Sequence, residues 1–544
     1  MRNLGLFGEL RFLPLTLAVA GTAGFAVLAL TAPGWAGLSA VLALLFMALV
    51  LVGLFDLTQT RHAILRNYPI AAHLRFLLEK IRPEIRQYFL ESDKDGTPFA
   101  RDKRAIVYQR AKQALDKRPF GTQYDVYGER YEWLHHSLAP KPQAPLDSLR
   151  VTIGPEGQQP YSASVLNISA MSYGALSANA IRALNKGARL GGFAHDTGEG
   201  GVSPYHREMG GDLIWELGSG YFGCRRADGG FDPEAFARVA GEPQIKMVEL
   251  KLSQGAKPGH GGVLPAAKVT PEIAAIRGVP MGEDCISPAA HSAFATPIEL
   301  LQMIERMRAL SGGKPAGFKL CIGHPWEFLA ICKAMVETGI TPDFIVIDGK
   351  EGGTGAAPLE FMDHIGMPLR DGLSFAHNAL VGVNLRERVR LGASGKIVTA
   401  FDMARVMALG ADWCNAARGF MFALGCIQAQ SCHTGKCPTG VTSPDPLRQR
   451  ALVVPDKAER VRSFHRNTIH ALSELIAAAG LSHPSELRPH HFLRRGPNEQ
   501  AVSYAEHYAM LAPGQLLTDP VTAGRFAEPW RVSRPDSFAR HEAG

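Results

Sequence analysis

The sequence predicts an α/β protein built on a (β/α)8 TIM barrel, with an N-terminal transmembrane helical hairpin and a helical juxtamembrane collar. Three observations predict it. From about residue 150 onward, short apolar runs alternate with amphipathic stretches about eight times. Several of those runs end in glycine-rich loops, as strands do at the functional face of a barrel. Two uncharged apolar stretches stand near the amino terminus, each about as long as a bilayer is thick. A doubly wound open sheet is the competing fold, but no G-x-G-x-x-G follows the first strand.

The chain has 544 residues, more than one typical domain, and a barrel with extensions can take most of it. It is 46% apolar with 57 glycines, so a large core forms readily. The net charge of +7 is spread out and no long basic run occurs, which argues against a nucleic-acid partner. Five of the eight cysteines, Cys224, Cys285, Cys321, Cys332 and Cys414, stand singly in apolar segments and read as reduced, buried thiols.

Residues 12–55 read as two transmembrane helices: 12–32 and 36–55 carry no charge and are joined by Pro33-Gly34-Trp35. A cleavable signal peptide fits worse, because the apolar core is too long and a second span follows at once. Arg2 and Arg11 precede the hairpin, Arg61 and Arg66 follow it, and the turn has none. Both ends are therefore expected on the cytoplasmic side, giving a multi-pass cell-membrane protein with a cytoplasmic body. Residues 56–149 show proline-interrupted helical patterns and read as a helical collar without chemistry of its own.

Residues 150–480 are assigned to the barrel. Candidate strands are 165–172, 191–198, 245–252, 316–323, 343–349, 388–394 and 411–417, with helical patterns such as PIELLQMIERMRAL and WEFLAICKAMVETG between them. After 450, VPDKAERVRSFHRNTIHALSELIAAAGL reads as a closing helix. His433, His465 and His470 lack mutual ligand spacing and read as structural. Residues 481–544 form a C-terminal extension, extended and polar from 495.

Two features carry the chemistry. The first is a set of late glycine loops: 349–355 with Gly353, Thr354 and Gly355, then Gly392–Gly395, then 415–419. Such loops can wrap backbone N–H groups around a phosphate, and flavin mononucleotide is a common occupant of the site they form in barrels. The second is Cys426, Cys432 and Cys437, spaced C-x5-C-x4-C with Pro438 after them. Three thiols this close suit a shared metal or a cysteine-rich structural loop, and they match neither common zinc pattern.

Six stretches, in order, resemble the flavin domain of the glutamate synthase large subunit: SAMSYGALS (169–177), HDTGEGG (195–201), KLSQGAKPGHGGVLPAAKV (251–269), ISPAAH (286–291), DGKEGGTGAAP (348–358) and GCIQAQSCHTGKCPTGV (425–441). The hairpin and collar resemble a membrane-attached subgroup of that family. The resemblance implies FMN contacted by Ala170, Met171, Ser172, Gln254 and Lys319, with its phosphate at Gly353, Thr354, Gly355 and Gly395. It implies a 3Fe-4S cluster on Cys426, Cys432 and Cys437. It also implies a substrate site of Lys257, Arg277 and Glu199 for the imine of 2-oxoglutarate, or a similar 2-oxoacid, with ammonia or an amine. A lysine at a strand end suits the charge of a reduced flavin, and an arginine can clamp a carboxylate with two parallel bonds.

The family's KPGEGGQLP becomes Lys257-Pro-Gly-His260-Gly-Gly-Val263-Leu-Pro here, which replaces an acid and a polar substrate contact. The expected activity is that of a glutamate-synthase-like oxidoreductase without glutaminase activity in this chain, fed by ferredoxin or a reductase subunit. The alternatives are a membrane-anchored flavin-binding subunit, or an amino-acid or N-alkyl amino-acid dehydrogenase feeding a membrane acceptor. Other flavin barrels, of the 2-hydroxyacid oxidase or inosinate dehydrogenase kind, fit worse because of the three-cysteine loop.

Overall fold

The computed structural model describes residues 9–542. Its backbone divides along the chain into two compact units, with the boundary between Asp102 and Lys103. In the first, helices Leu13–Thr31 and Ala36–Thr58 are joined by a single turn at Pro33–Trp35, and both are long and apolar enough to cross a membrane. They pack through small residues: a Cβ on Gly21 would stand 2.7 Å from the Phe46 ring, and one on Gly53 would stand 2.6 Å from Leu15. Phe25 stacks on Phe46 with ring centroids 5.6 Å apart. Asp56, fully buried near the end of the second helix, accepts hydrogen bonds from the Ile70 N–H (2.9 Å) and from His73 Nε2 (2.9 Å). Arg2, used above for orientation, lies outside the described residues.

The collar is helical at Ala63–Asn67, Ala71–Ile85 and Arg101–Ala111. Beyond 111 the expected helix gives way. Pro119, Gly121 and Gly128 interrupt it, and 112–131 holds no regular element. Glu132–Leu134 is instead a strand, paired antiparallel with Phe492–Arg495, which pairs in turn with Ala501–Ser503.

The eight parallel strands close into a barrel in chain order: β1 (Leu166–Ile168), β2 (His195–Asp196), β3 (Leu213–Leu217), β4 (Ile245–Lys251), β5 (Ala316–Leu320), β6 (Phe344–Asp348), β7 (Arg390–Ser394) and β8 (Trp413–Ala416). The TIM-barrel reading is right, and seven of these strands fall within the stretches read from sequence. The unnamed strand is β3, LIWEL, buried at every position like β5 and β6. A hairpin, Arg150–Ile153 against Tyr161–Ser164, plugs the amino-terminal end of the barrel. Its Ile153, Tyr161 and Ala163 share one core with Ile214, Met247, Phe344, Val346 and Trp413.

Helix Val454–Ala478 packs on Ala178–Gly191 so closely that a Cβ on Gly187 would stand 2.4 Å from Val461. Its His465 is structural: it stacks on Phe193 with centroids 4.0 Å apart and shares a 2.9 Å hydrogen bond with the Ser164 hydroxyl. The tail read as extended is folded down by short elements with buried Tyr504, Tyr508, Leu516, Phe526 and Val532. Pro513, Gly514, Pro520, Gly524 and Pro529 break its apolar residues into pieces too short to show a period, and the body supplies their partners.

Candidate active site at the barrel mouth

Charged side chains from five strands converge at the carboxyl ends of the barrel. Glu249 and Lys251 sit two apart on β4 and so share a face, while Asp196, Glu216, Lys319 and Asp348 come from β2, β3, β5 and β6. All six are less than a tenth exposed. Register sets like beside like, Glu216 opposite Glu249 and Lys251 opposite Lys319. Diagonal pairing relieves this. The Lys319 ammonium donates to Glu216 and lies 3.5 Å from Glu249, and Lys251 stands 2.7 Å from Glu199 and 3.9 Å from Glu216. Buried charge persists only when paired in this way.

The residues expected to hold substrate come together here. Burial alone would raise the Glu199 carboxyl, but Lys251, then Arg277 and Lys257, hold it below its ordinary range. Arg277 lies over the Phe222 ring at 5.2 Å and donates from Nη2 to the Tyr173 carbonyl at 3.1 Å; its Nε is buried with no partner among the described residues. Lys257 is buried and forms no ion pair within 4.0 Å among the described residues. Burial lowers its pKa, with Glu199 pulling the other way and Lys251 adding to the fall.

His260, one departure from the family pattern, bonds its own loop at the Gly261 carbonyl (2.8 Å) and packs edge-on to Phe361. Val263, the other, pairs with Ile286 in a two-residue ladder. A separate cavity of about 560 Å3 lies beside Tyr173. Its polar wall is largely self-satisfied, since the Tyr173 and Tyr205 hydroxyls both donate to Glu272 (2.5 and 2.9 Å).

Ala170, Met171 and Ser172 follow β1, and Gln254 accepts from the Lys251 ammonium at 3.2 Å. A Cβ on Gly198 would stand 2.6 Å from the Ser172 nitrogen, so the loops after β1 and β2 touch backbone to backbone. Gly353, Thr354 and Gly355 follow β6, and Gly395 follows β7 with a φ of 147°. Nothing lies within 4 Å of where a Cβ on Gly355 would stand, so that cradle is open. Arg418, just after β8, donates from Nη2 to the Thr354 carbonyl at 2.8 Å, which brings a cation to this loop.

Arg418 lies within the 415–419 glycine loop marked in the sequence, where it carries no assigned role. The usable signal was a basic residue in the last βα loop, where barrels build phosphate sites. Glu216, Glu249 and Asp196 were missed as well. Glu216 sat in the unnamed strand, and a lone acid in an apolar run shows nothing of its partner.

The three close cysteines follow helix Arg418–Leu424. Cys426 and Cys437 are buried, Cys432 is half-buried, and all three are free thiols. The loop turns through left-handed backbone at Gln428 (φ 59°) and Gln430 (φ 54°), a conformation that non-glycine residues hold only where surroundings enforce it. Donors from three other segments pin its carbonyls: Tyr108 on Cys426 (2.6 Å), Lys268 on Cys432 (3.4 Å) and Arg448 on Cys437 (3.5 Å). Burial would raise the Cys437 thiol, yet hydrogen bonding, including that from Thr439, holds it below its ordinary range.

The family described as "Conserved region in glutamate synthase" matches residues 111–482. The glutamate synthase large subunit-like protein YerD of Bacillus subtilis (strain 168) is 38% identical over 480 residues, 81% of this chain and 91% of that protein. An archaeal-type glutamate synthase (NADPH) of Thermotoga neapolitana is 35% identical over 329 residues, and the match spans 60% of this chain and 62% of that relative. Among solved structures, a flavocytochrome b2 variant with sulfite bound superposes with a TM-score of 0.41 at 10% identity, over 77% of this chain and 85% of that one. That likeness is too loose to bear on function.

Proposed function

This chain belongs to the glutamate synthase family and is an oxidoreductase of that type, and from that premise we propose that it reduces the imine of 2-oxoglutarate, or a similar 2-oxoacid, with ammonia or an amine to the amino acid. The observation that carries this reading is the meeting of Glu199, Lys257 and Arg277 over one mouth, two cations for two carboxylates and one fixed anion for a nitrogen cation. Val263, apolar where the family has a polar contact, supports keeping the 2-oxoacid class broad.

The residues present fit FMN and a three-iron cluster. Gly353, Thr354, Gly355 and Gly395, with Arg418 beside them, would hold the phosphate, and Ala170–Ser172, Gln254 and Lys319 the ring system. The three thiols suit a 3Fe-4S cluster by number and softness. When bound, the flavin supplies hydride transfer and the cluster supplies one-electron entry from a ferredoxin or reductase subunit.

The chain's own residues do the rest. Lys257 and Arg277 bind the carboxylates, Glu199, held by Lys251, orients the nitrogen, and the buried mouth excludes water. Two apolar helices with Arg11 before them and Arg61 and Arg66 after support a multi-pass anchor in the cell membrane with the barrel in the cytoplasm. They also favour one second reading, the reverse oxidation of an amino acid or N-alkyl amino acid into a membrane acceptor.

The test uses purified full-length protein reduced with dithionite. Flavin absorbance returns on adding a 2-oxoacid with ammonium or methylamine; no return with any such pair sinks the proposal. In the same protein before dithionite is added, Cys432→Ala or Cys437→Ala loses cluster iron and its paramagnetic resonance signal while retaining flavin. Undiminished iron would show the thiols to be structural.

Lys257 sets a pH dependence. Its charge is present below its lowered pKa and lost as pH rises through it. KM for the 2-oxoacid should therefore climb on the alkaline side at a lower pH than an ordinary lysine would give. Lys257→Arg should remove that limb, since a guanidinium stays charged.

A further inference from the structure

The barrel mouth gathers more negative charge than the nearest ammonium groups can balance. Asp196, Glu216 and Glu249, on adjoining strands and each no more than 2% exposed, place one oxygen apiece within 4.8 Å of one another. Lys319 is hydrogen-bonded to Glu216, and Lys251 gives its closest contact to Glu199. Asp348 faces Glu249 from β6, and its carboxylate accepts the Gly255 N–H at 2.9 Å. Asp196 accepts the Gly198 N–H at 3.0 Å. The Glu249 Oε1 is buried with no hydrogen-bond partner among the described residues, although the Lys319 ammonium lies 3.5 Å away.

Carboxylates this close, away from water, cannot all ionise around Lys319 when Lys251 is engaged most closely by Glu199. The member with the least hydrogen bonding keeps the proton. We propose that Glu249 is held as the neutral carboxylic acid and that its proton is the one drawn into the site with each electron pair.

The role rests on the imine-reducing reading, and its balance follows from that reaction. Iminium formation from a 2-oxoacid and ammonium releases water and no proton. Reduction then adds two electrons and one proton, as hydride, to the imine carbon, and the amine nitrogen afterwards takes a second proton from solvent. Two equivalents of a one-electron donor are oxidised and bring no proton with them. The Glu249 O–H breaks to supply the hydride's proton, and the carboxylate is refilled from solvent. Burial raises the carboxyls of both Asp196 and Glu249, in keeping with the assignment. Glu249 lies well above its ordinary range because Asp196 and Asp348 add repulsion that Lys251 offsets in part.

The experiment is infrared spectroscopy of full-length, flavin-containing protein at neutral pH, with Glu249→Gln beside wild type. Wild type should show the carbonyl stretch of a protonated carboxyl, shifted in heavy water and missing from the variant. The variant's kcat should fall at least tenfold with KM and flavin content kept within twofold. A wild type without the band, a band that survives Glu249→Gln, or an unchanged kcat overturns the proposal. So does a stoichiometric divalent ion that Glu249→Gln releases, which would make the cluster a cation site. Should the preparation lack bound flavin, the proposed function fails instead, and the band still decides whether Glu249 is protonated.

Discussion

Gly262→Ala is expected to lower turnover by about 100-fold, the loss that misplacing a catalytic group by about 1 Å can bring, while leaving the fold and the flavin content intact. A Cβ on Gly262 would stand 2.2 Å from Glu199 Oε1 and 3.1 Å from the Ser287 hydroxyl. On the other side, a Cβ on Gly218 would stand 2.7 Å from Glu199 Oε2, so the carboxylate lies in a slot between two glycines. The atom displaced is the tip of a flexible side chain, so the backbone need not move. The carboxylate must move, and its 2.7 Å contact with Lys251 goes with it.

Gly255→Ala is the contrasting case: its Cβ would stand 1.7 Å from the Gly349 carbonyl oxygen, backbone against backbone. That variant should lose folded yield, and Gly262→Ala should not. Measuring kcat, KM and flavin absorbance for both decides the matter, and a Gly262→Ala enzyme of near-normal kcat would remove Glu199 from the proposed role.

Glu132→Ala should lower the unfolding free energy by about 3 kcal/mol, the low end for breaking a buried ion pair because Arg370 keeps some solvent. The Glu132 carboxylate is 6% exposed, hydrogen-bonded to Arg370, and 2.6 Å from Arg405. Arg405 retains Asp402 at 2.6 Å, so Arg370 is the group left facing cations. Burial would raise the Glu132 carboxyl, but Arg405 and Arg370 hold it below its ordinary range. Its stabilisation is therefore complete above the unfolded glutamate pKa and is lost as pH falls through the lowered folded value. Urea midpoints at neutral and acid pH test both parts. The variant should sit well below wild type at neutral pH and converge on it in acid. A constant gap, or a loss under about 1 kcal/mol, contradicts the argument.

Glu132 also shows why the collar was read too far. Its strand has three residues, and the arginines that hold it lie more than 200 positions on. No local pattern announces such a strand. The barrel itself was legible because its signals are local: an apolar run, a glycine loop, an amphipathic helix, repeated. LIWEL has no such explanation, since AGFKL and FIVID are equally short and equally buried and are legible.

The amino-acid sequence by itself determined the repeat that closes the barrel, the glycines of the Gly353–Gly355 loop, and the spacing of Cys426, Cys432 and Cys437. Each is a property of neighbours along the chain. The tertiary structure alone decided which charges meet. Lys319 finds Glu216 across 103 positions, Arg418 reaches Thr354 across 64, and Glu249 is set among Asp196, Glu216 and Asp348. Those encounters exist only once eight strands have closed, because ring closure, not sequence distance, brings their carboxyl ends together out of water.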